Sequence, residues 1–389
     1  MKTAQIGLEV VPSSGGTYKA ISDFSQVMNS LVISFTSHEK QIQENLNTSP
    51  TRHVSTSPGL WGRSFAWAPE RNRREAGEAV INADLLVCHI LWRYHVHWVK
   101  AQAVRNNIPY WVIPHGCLDP YVFSYRSLEK KVWFYLFGRS FLKRASYVIF
   151  ATEQEKQKAG RYYNGKNTRV IHWPVQSIDL SRREFARGLI RHRHEVPCDD
   201  RIVIFLGRLH HLKHPLNTIA AFAKANVSNT HLFVIGPEET VAHKDCQRLI
   251  GELGARNVHL VGPVYGEDKN DYLIAGDAYI SLSEKENFGY TAAEALLAGL
   301  PVILSPGNDL VNELRPLECG WFLKNNVPET AAIAIKRFAG TNDRQLAEMG
   351  ENGRKWASEN LGYKMFTEKI TRLVERTLSS KQVERYNRF

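Results

Sequence analysis

Ile202-Val203-Ile204-Phe205-Leu206-Gly207-Arg208-Leu209 is an apolar run that ends on a glycine and a cation, with Lys213 shortly after it. Five consecutive large apolar residues without alternation read as a strand buried on both faces, as in a parallel sheet. Before it lies a charged stretch, residues 181–200, containing Arg191-His192-Arg193-His194 and then Pro197. Earlier still, similar runs fall at residues 4–11, 31–35, 84–89, 110–113, 147–151 and 169–172, with helical patterns at 17–29, 96–106 and 127–142. After 202–206 the runs resume at 231–235, 258–261, 278–282 and 301–304. Strands alternating with helices predict βα units. The restart predicts two sets of such units, so the expected fold is α/β, with two doubly wound Rossmann-like domains.

The expected boundaries are 1–175 for the first domain, 176–200 for a linker and 201–374 for the second domain. Residues 343–358 and 363–378 read as helices, the last crossing back so that 375–389 packs on the first domain. Residues 41–78 are polar, carry Pro50, Pro58, Gly59, Gly62 and Pro69, and are read as loop or short helix. Open α/β sheets bind ligands outside the carboxyl ends of their strands, so the expected ligand site is a cleft in which the two domains face each other.

A chain of 389 residues is too long for one ordinary core, and 43% hydrophobic with 23% charged residues excludes a disordered, collagen-like or coiled-coil chain. No apolar run reaches the ~18 residues of a membrane span, and residues 1–12 lack signal-peptide character, so a cytoplasmic location is expected. Cys88, Cys117, Cys198, Cys246 and Cys319 are odd in number and far apart, which reads as reduced thiols with neither a zinc nor a redox motif. The net charge of +11 divides into +10 over residues 1–175 and +1 over 176–389. A basic first half faces something anionic: a membrane surface, a phosphorylated acceptor or nucleic acid.

Three stretches could carry chemistry. Pro12-Ser13-Ser14-Gly15-Gly16-Thr17 follows a predicted strand and opens a helix, where glycines allow close approach and free amides meet a phosphate; alone it is as consistent with a structural turn. Arg208 and Lys213, just past a strand end, suit a diphosphate, the first by bidentate contact and the second as a point charge. In Ser283-Glu284-Lys285-Glu286-Asn287-Phe288-Gly289-Tyr290-Thr291-Ala292-Ala293-Glu294, Glu286 falls in a turn and Glu294 one turn into an apolar helix. A carboxylate there needs donors, which sugar hydroxyls supply. The helix-start amides at Phe288-Gly289-Tyr290 could meet a phosphate or a sugar hydroxyl.

Gly207-Arg208 with Lys213, and Glu286 with Glu294 around Phe288-Gly289, resemble the donor site of retaining glycosyltransferases of family four, group 1, which have the GT-B fold. Gly15-Gly16 lies where these enzymes have a glycine loop. His115-Gly116-Cys117-Leu118-Asp119-Pro120 resembles the His-Gly-x-Leu-Asp-Pro stretch of bacterial members that build exopolysaccharides and O-antigens. One departure is His214, where the family usually has Gly after the Lys.

The resemblance implies a metal-independent, cofactor-free retaining hexosyltransferase, with a nucleotide-diphosphate sugar as donor substrate and a polyprenyl-diphosphate-linked glycan acceptor. The setting implied is exopolysaccharide or lipopolysaccharide synthesis. It implies that His115, Arg208, Lys213 and Glu286 are catalytic and that Gly15, Gly16, Arg208, Lys213, Glu286, Asn287, Phe288, Gly289, Tyr290 and Glu294 bind the donor. Glu286 would hold the donor sugar and Glu294 the ribose. Asp119 orients the acceptor or caps a turn. Trp92 could border the acceptor and Tyr265 the base, with core packing the favoured alternative for both.

Residues 126–144 mix Arg126, Lys130, Lys131, Arg139, Lys143 and Arg144 with large aromatics. An amphipathic helix with aromatics in the core and cations in water is the expected arrangement; docking on the inner leaflet of the membrane is the functional alternative. Other readings are an epimerase or sucrose-type synthase on the same fold, a basic nucleic-acid-binding protein, and a scaffold. Nucleic acid is disfavoured as a partner because the cations are scattered and no RNA-binding or zinc-finger signature occurs.

Overall fold

The computed structural model describes residues 1–11, 15–36, 45–46, 49–55, 57–59, 62–67, 70–92, 94–124 and 127–386. Pro12, Ser13, Ser14 and Arg126 lie outside the described residues. The chain divides into two compact units, Met1–Trp173 with Phe366–Phe389, and Pro174–Met365.

In the first unit seven parallel strands form one sheet: Thr3–Leu8, Leu31–Thr36, Ser49–Ser55, Leu85–His89, Tyr110–Ile113, Tyr147–Phe150 and Thr168–Val170. Numbered along the chain, they lie in the order 7-6-5-4-1-2-3, with the short strand Asn45–Leu46 antiparallel at the edge. The second unit has six parallel strands: Arg201–Leu206, Thr230–Ile235, Val258–Gly262, Ala278–Ser281, Val302–Leu304 and Gly320–Phe322, in the order 3-2-1-4-5-6. Both sheets therefore reverse direction beside their own first strand. At such a reversal neighbouring loops diverge to opposite faces and leave a crevice at the carboxyl edge. The central strands are apolar because helices cover both faces, and Ile202–Phe205 and Leu85–Cys88 are almost wholly buried.

Four expectations change. Residues 176–200 are not an independent linker, because Arg183–Arg193 is a helix packed on the helix Gly266–Ala275. Arg187 reaches Asp277 at 2.8 Å, Arg193 reaches Asp268 at 2.9 Å and Arg182 reaches Asp271 at 3.3 Å, so the arginines of the charged stretch dock on acidic residues distant in sequence. The final helix, Tyr363–Tyr386, belongs to the first unit from Phe366 rather than from residue 375. Phe366 packs edge-on to Phe24 at 5.1 Å, and the Trp111 indole donates to Thr377 Oγ1 at 3.0 Å.

Within 41–78 the chain forms the strand Ser49–Ser55 and the helix Glu70–Val80. Of residues 51–55 only Val54 is buried, which is why this strand near the sheet edge reads as polar. In 126–144 the large apolar residues divide. Trp133, Phe134 and Phe141 enter the core, whereas Leu128, Val132, Tyr135, Leu136 and Phe137 are exposed. A π-helical turn at Phe134–Gly138 widens the helix, and three consecutive apolar residues cannot share one helical face.

Candidate functional site

At the crevice of the second sheet, Gly207 and Arg208 leave the strand Arg201–Leu206 strapped to its neighbour: Gly207 N–H donates to Ile235 O at 2.9 Å, and Leu209 N–H to Pro237 O at 2.8 Å. Arg208 Nη1 meets Glu239 Oε1 at 2.7 Å and is half exposed. The 3₁₀ turn His211–Lys213 follows, capped by His210, whose Nδ1 accepts from Leu212 N–H at 3.1 Å. His214, where the resemblance leads one to expect glycine, holds φ 53° and ψ 50°. This left-handed geometry is what a glycine would take at little cost, and histidine is among the side chains that enter it more readily. Its carbonyl accepts from Thr218 Oγ1 at 3.0 Å, opening the helix Pro215–Ala225.

Lys213 lies against the carboxylate of Glu286. Burial, then Arg208, pull its ammonium down to about 8, while Glu239 acts the other way. The Glu286 carboxylate opposes the shift as any contacting anion does.

Glu286 is fixed by its backbone: its N–H donates to Gly307 O at 2.7 Å, and its carbonyl accepts from Asp309 N–H at 3.0 Å. Asn287 Oδ1 is buried with no hydrogen-bond partner, an acceptor that a ligand donor would relieve. Phe288 is buried, and Gly289 caps the helix Tyr290–Leu297 in the left-handed region at φ 79°, where a Cβ would lie 2.6 Å from Asn308 Nδ2. One turn on, Glu294 pairs with Lys269 at 2.9 Å. The second unit thus brings Lys213 to Glu286, with Arg208 near enough to act on the Lys213 charge, and seats Glu294 apart from them beside a further lysine. It adds Glu239 and Lys269, which the sequence reading missed because their partners are far away along the chain.

In the first unit, Gly15 caps the helix Gly16–Met28 at φ 60° beyond the strand Thr3–Leu8. His115 and Gly116 are both left-handed, at φ 50° and 72°, after the strand Tyr110–Ile113. Buried Glu155 holds this turn, accepting from Gly116 N–H and Ala151 N–H, each at 2.7 Å. The pattern Thr152-x-x-Glu155 signals a helix start, and Thr152 does cap it, but the reach to Gly116 is tertiary. His115 Nε2 lies 2.9 Å from His89 Nδ1, and burial pushes His115 down to about 3.

Asp119 caps its turn, accepting from Tyr121 N–H at 2.8 Å, and pairs with Lys158 at 3.3 Å. Trp92 packs on Phe123 and Trp133 and donates to Cys117 O at 3.1 Å. Both therefore have structural partners. Tyr265 is 73% exposed, so it is not a core aromatic. Among the described residues no group of three or more His, Cys, Asp or Glu is gathered as a metal site requires, and no helix is long and apolar enough to cross a membrane.

Comparison with known proteins fits this geometry. Residues 187–356 match the model of glycosyl transferases group 1, and residues 30–177 that of glycosyltransferase family 4. A D-inositol 3-phosphate glycosyltransferase of Streptomyces scabiei is 27% identical over 214 residues, covering 52% of this chain and 48% of that protein. The chain spans about half the length of the curated relatives it matches. HepE of Anabaena, solved with UDP, superposes with a TM-score of 0.79 at 18% identity, over 98% of this chain and 100% of that one. WaaG, a glycosyltransferase involved in lipopolysaccharide biosynthesis, gives 0.65 at 15% identity, over 96% and 99%. With both halves matched and two parallel sheets of this order, the chain belongs to the group 1, family four glycosyltransferases of GT-B fold.

Proposed function

We propose that the protein is a retaining glycosyltransferase that moves a sugar from a nucleoside-diphosphate sugar to a glycan acceptor without a metal ion. The observation that carries this is the pairing of Arg208 and Lys213 with Glu239 and Glu286 at the sheet reversal. When the bond from the anomeric carbon to the phosphate oxygen breaks, negative charge grows on the leaving diphosphate. Cations already in place stabilise that charge without reorganising. Glu286 then accepts from hydroxyls of the donor sugar and Glu294, paired with Lys269, from those of the ribose. His115 hydrogen-bonds the donor sugar or its phosphate, as the resemblance implies.

A ligand that binds only the folded state raises its melting temperature, by about 2.7 kcal/mol of stability at a hundred times Kd. Thermal unfolding with UDP, GDP, ADP and their sugar conjugates is therefore expected to show a shift for one base, unchanged by EDTA and weakened in Glu294→Ala. The UDP bound to HepE makes UDP the first nucleotide to try. No shift with any of them would remove the donor reading.

The acceptor is proposed to be lipid-linked, in exopolysaccharide or lipopolysaccharide synthesis, with the protein on the cytoplasmic face of the membrane. Leu128, Val132, Tyr135, Leu136 and Phe137 are exposed together with Lys131, Arg139, Lys143 and Arg144. Apolar side chains amid cations suit an anionic leaflet, where each Lys or Arg near the surface contributes about 1 kcal/mol. Flotation with phosphatidylglycerol vesicles is expected, and its loss in Leu136→Glu. A protein that ignores such vesicles would point instead to a soluble phosphorylated acceptor of the kind named for the Streptomyces relatives.

A further inference from the structure

His89 ends the strand Leu85–His89 and is wholly buried, although every other residue of that strand is apolar. Its ring nitrogens are both engaged: Nε2 lies 2.9 Å from Gln5 Oε1, and Nδ1 lies 2.9 Å from His115 Nε2. The Gln5 amide nitrogen faces Ser25 Oγ at 2.7 Å, Ser30 Oγ at 2.6 Å and the Ile21 carbonyl at 3.2 Å.

These contacts fix the direction of every proton. The Ile21 carbonyl can only accept, so the Gln5 NH₂ must be the group that faces it, and Oε1 faces His89. Oε1 can only accept, so His89 carries its proton on Nε2. A neutral ring then has a bare Nδ1, which accepts from His115 Nε2–H. Burial favours the neutral form of both rings, holding His89 well below its usual value, with His115 and His95 adding to the shift. The remaining nitrogen of His115, Nδ1, is left as a lone-pair acceptor and has no hydrogen-bond partner among the described residues.

We propose that Gln5 and His89 are positioning residues that lock His115 in the Nε2–H tautomer, so that its Nδ1 accepts a hydrogen bond from a hydroxyl of the donor sugar. This rests on the reading that His115 touches the donor. The tautomer of an imidazole is set by the bond its other nitrogen makes, and here that bond is supplied by His89, itself oriented by the buried Gln5 amide. It also explains a costly burial, because a polar strand end inside a core is retained when the full network is satisfied.

Long-range proton–nitrogen correlation spectra of the full chain labelled with ¹⁵N-histidine read which nitrogen bears the proton, with His115 assigned by its loss in His115→Gln. The wild type is expected to show His115 protonated on Nε2. Gln5→Glu places a carboxylate beside His89, favours its doubly protonated form and makes both its nitrogens donors, so His115 should switch to Nδ1–H. His89→Gln, which still accepts and donates along the chain, should restore the wild-type tautomer. If Gln5→Glu does not fold, His89→Phe removes the acceptor and should leave His115 in mixed tautomers.

With the donor identified by thermal shift, the switched variant should lose about tenfold in kcat with little change in KM, the scale of one hydrogen bond. His89→Gln should recover most of it. An Nδ1–H signal in the wild type, or an unaltered His115 in both Gln5→Glu and His89→Phe, overturns the lock. A His115→Ala protein with wild-type kinetics overturns the donor reading on which the proposal rests, whatever the tautomer.

Discussion

Replacing Arg208 with alanine should lower turnover roughly 10²- to 10³-fold, the usual cost of removing one preorganised group that stabilises transition-state charge. The fold should hardly notice. Arg208 is half exposed and its partner Glu239 is a third exposed, and such surface pairs contribute about 0–1 kcal/mol. An unchanged melting temperature with collapsed kcat is the expected signature, and normal turnover in Arg208→Ala would remove the diphosphate argument altogether.

Lys213→Ala should match it in kcat, and Lys213 also predicts a pH dependence. Because burial and Arg208 bring Lys213 down to about 8, the free enzyme loses this cation as pH rises through that value. kcat/KM, which reports the free enzyme, should therefore fall above about pH 8. In kcat the fall should move to higher pH, since a bound diphosphate favours the charged lysine. Lys213→Arg keeps its charge throughout and should abolish the alkaline limb even if it lowers the plateau. A limb that persists in Lys213→Arg would assign it to another group.

Gly236→Ala should cost about 4 kcal/mol or more and weaken donor binding with it. Gly236 has φ 148°, a conformation that L side chains rarely adopt, and a Cβ there would overlap the Gly207 carbonyl. The clash is with backbone, so no rotamer change relieves it, and strain of about 1–3 kcal/mol adds to overpacking of similar size. What must shift is the peptide immediately before Arg208, whose own amide nitrogen would be 3.4 Å from the added carbon. Gly251→Ala is the control: it lies in the helix His243–Glu252 with nothing within 4 Å of an added Cβ, and should be neutral or stabilising by up to about 1 kcal/mol. A urea midpoint for Gly236→Ala within 1 kcal/mol of wild type would show that this junction is softer than its geometry indicates.

Some features were invisible along the chain for identifiable reasons. The strand Gly320–Phe322 has three residues, too few for a period, and exists because the sheet edge at Val302–Leu304 accepts it. The helix Arg183–Arg193 reads as part of a linker because its arginines find Asp268 and Asp277 only after folding. The apolar face of the π turn escaped because a helical period cannot foresee an extra residue in one turn.

The sequence alone determined the α/β alternation, its restart near residue 201, and the placing of Gly207, Arg208, Glu286 and His115 just beyond strand ends. Those are local facts: a run of apolar residues buries itself, and the residue that ends it is left at the sheet's edge. Which of these edges became neighbours was decided only by the tertiary structure. Lys213 meets Glu286 because the strands Arg201–Leu206 and Ala278–Ser281 lie side by side, and His115 meets His89 and Gln5 because Tyr110–Ile113, Leu85–His89 and Thr3–Leu8 do. Strand order is set by crossovers and by the shared burial of both sheet faces, and no local pattern of residues encodes it.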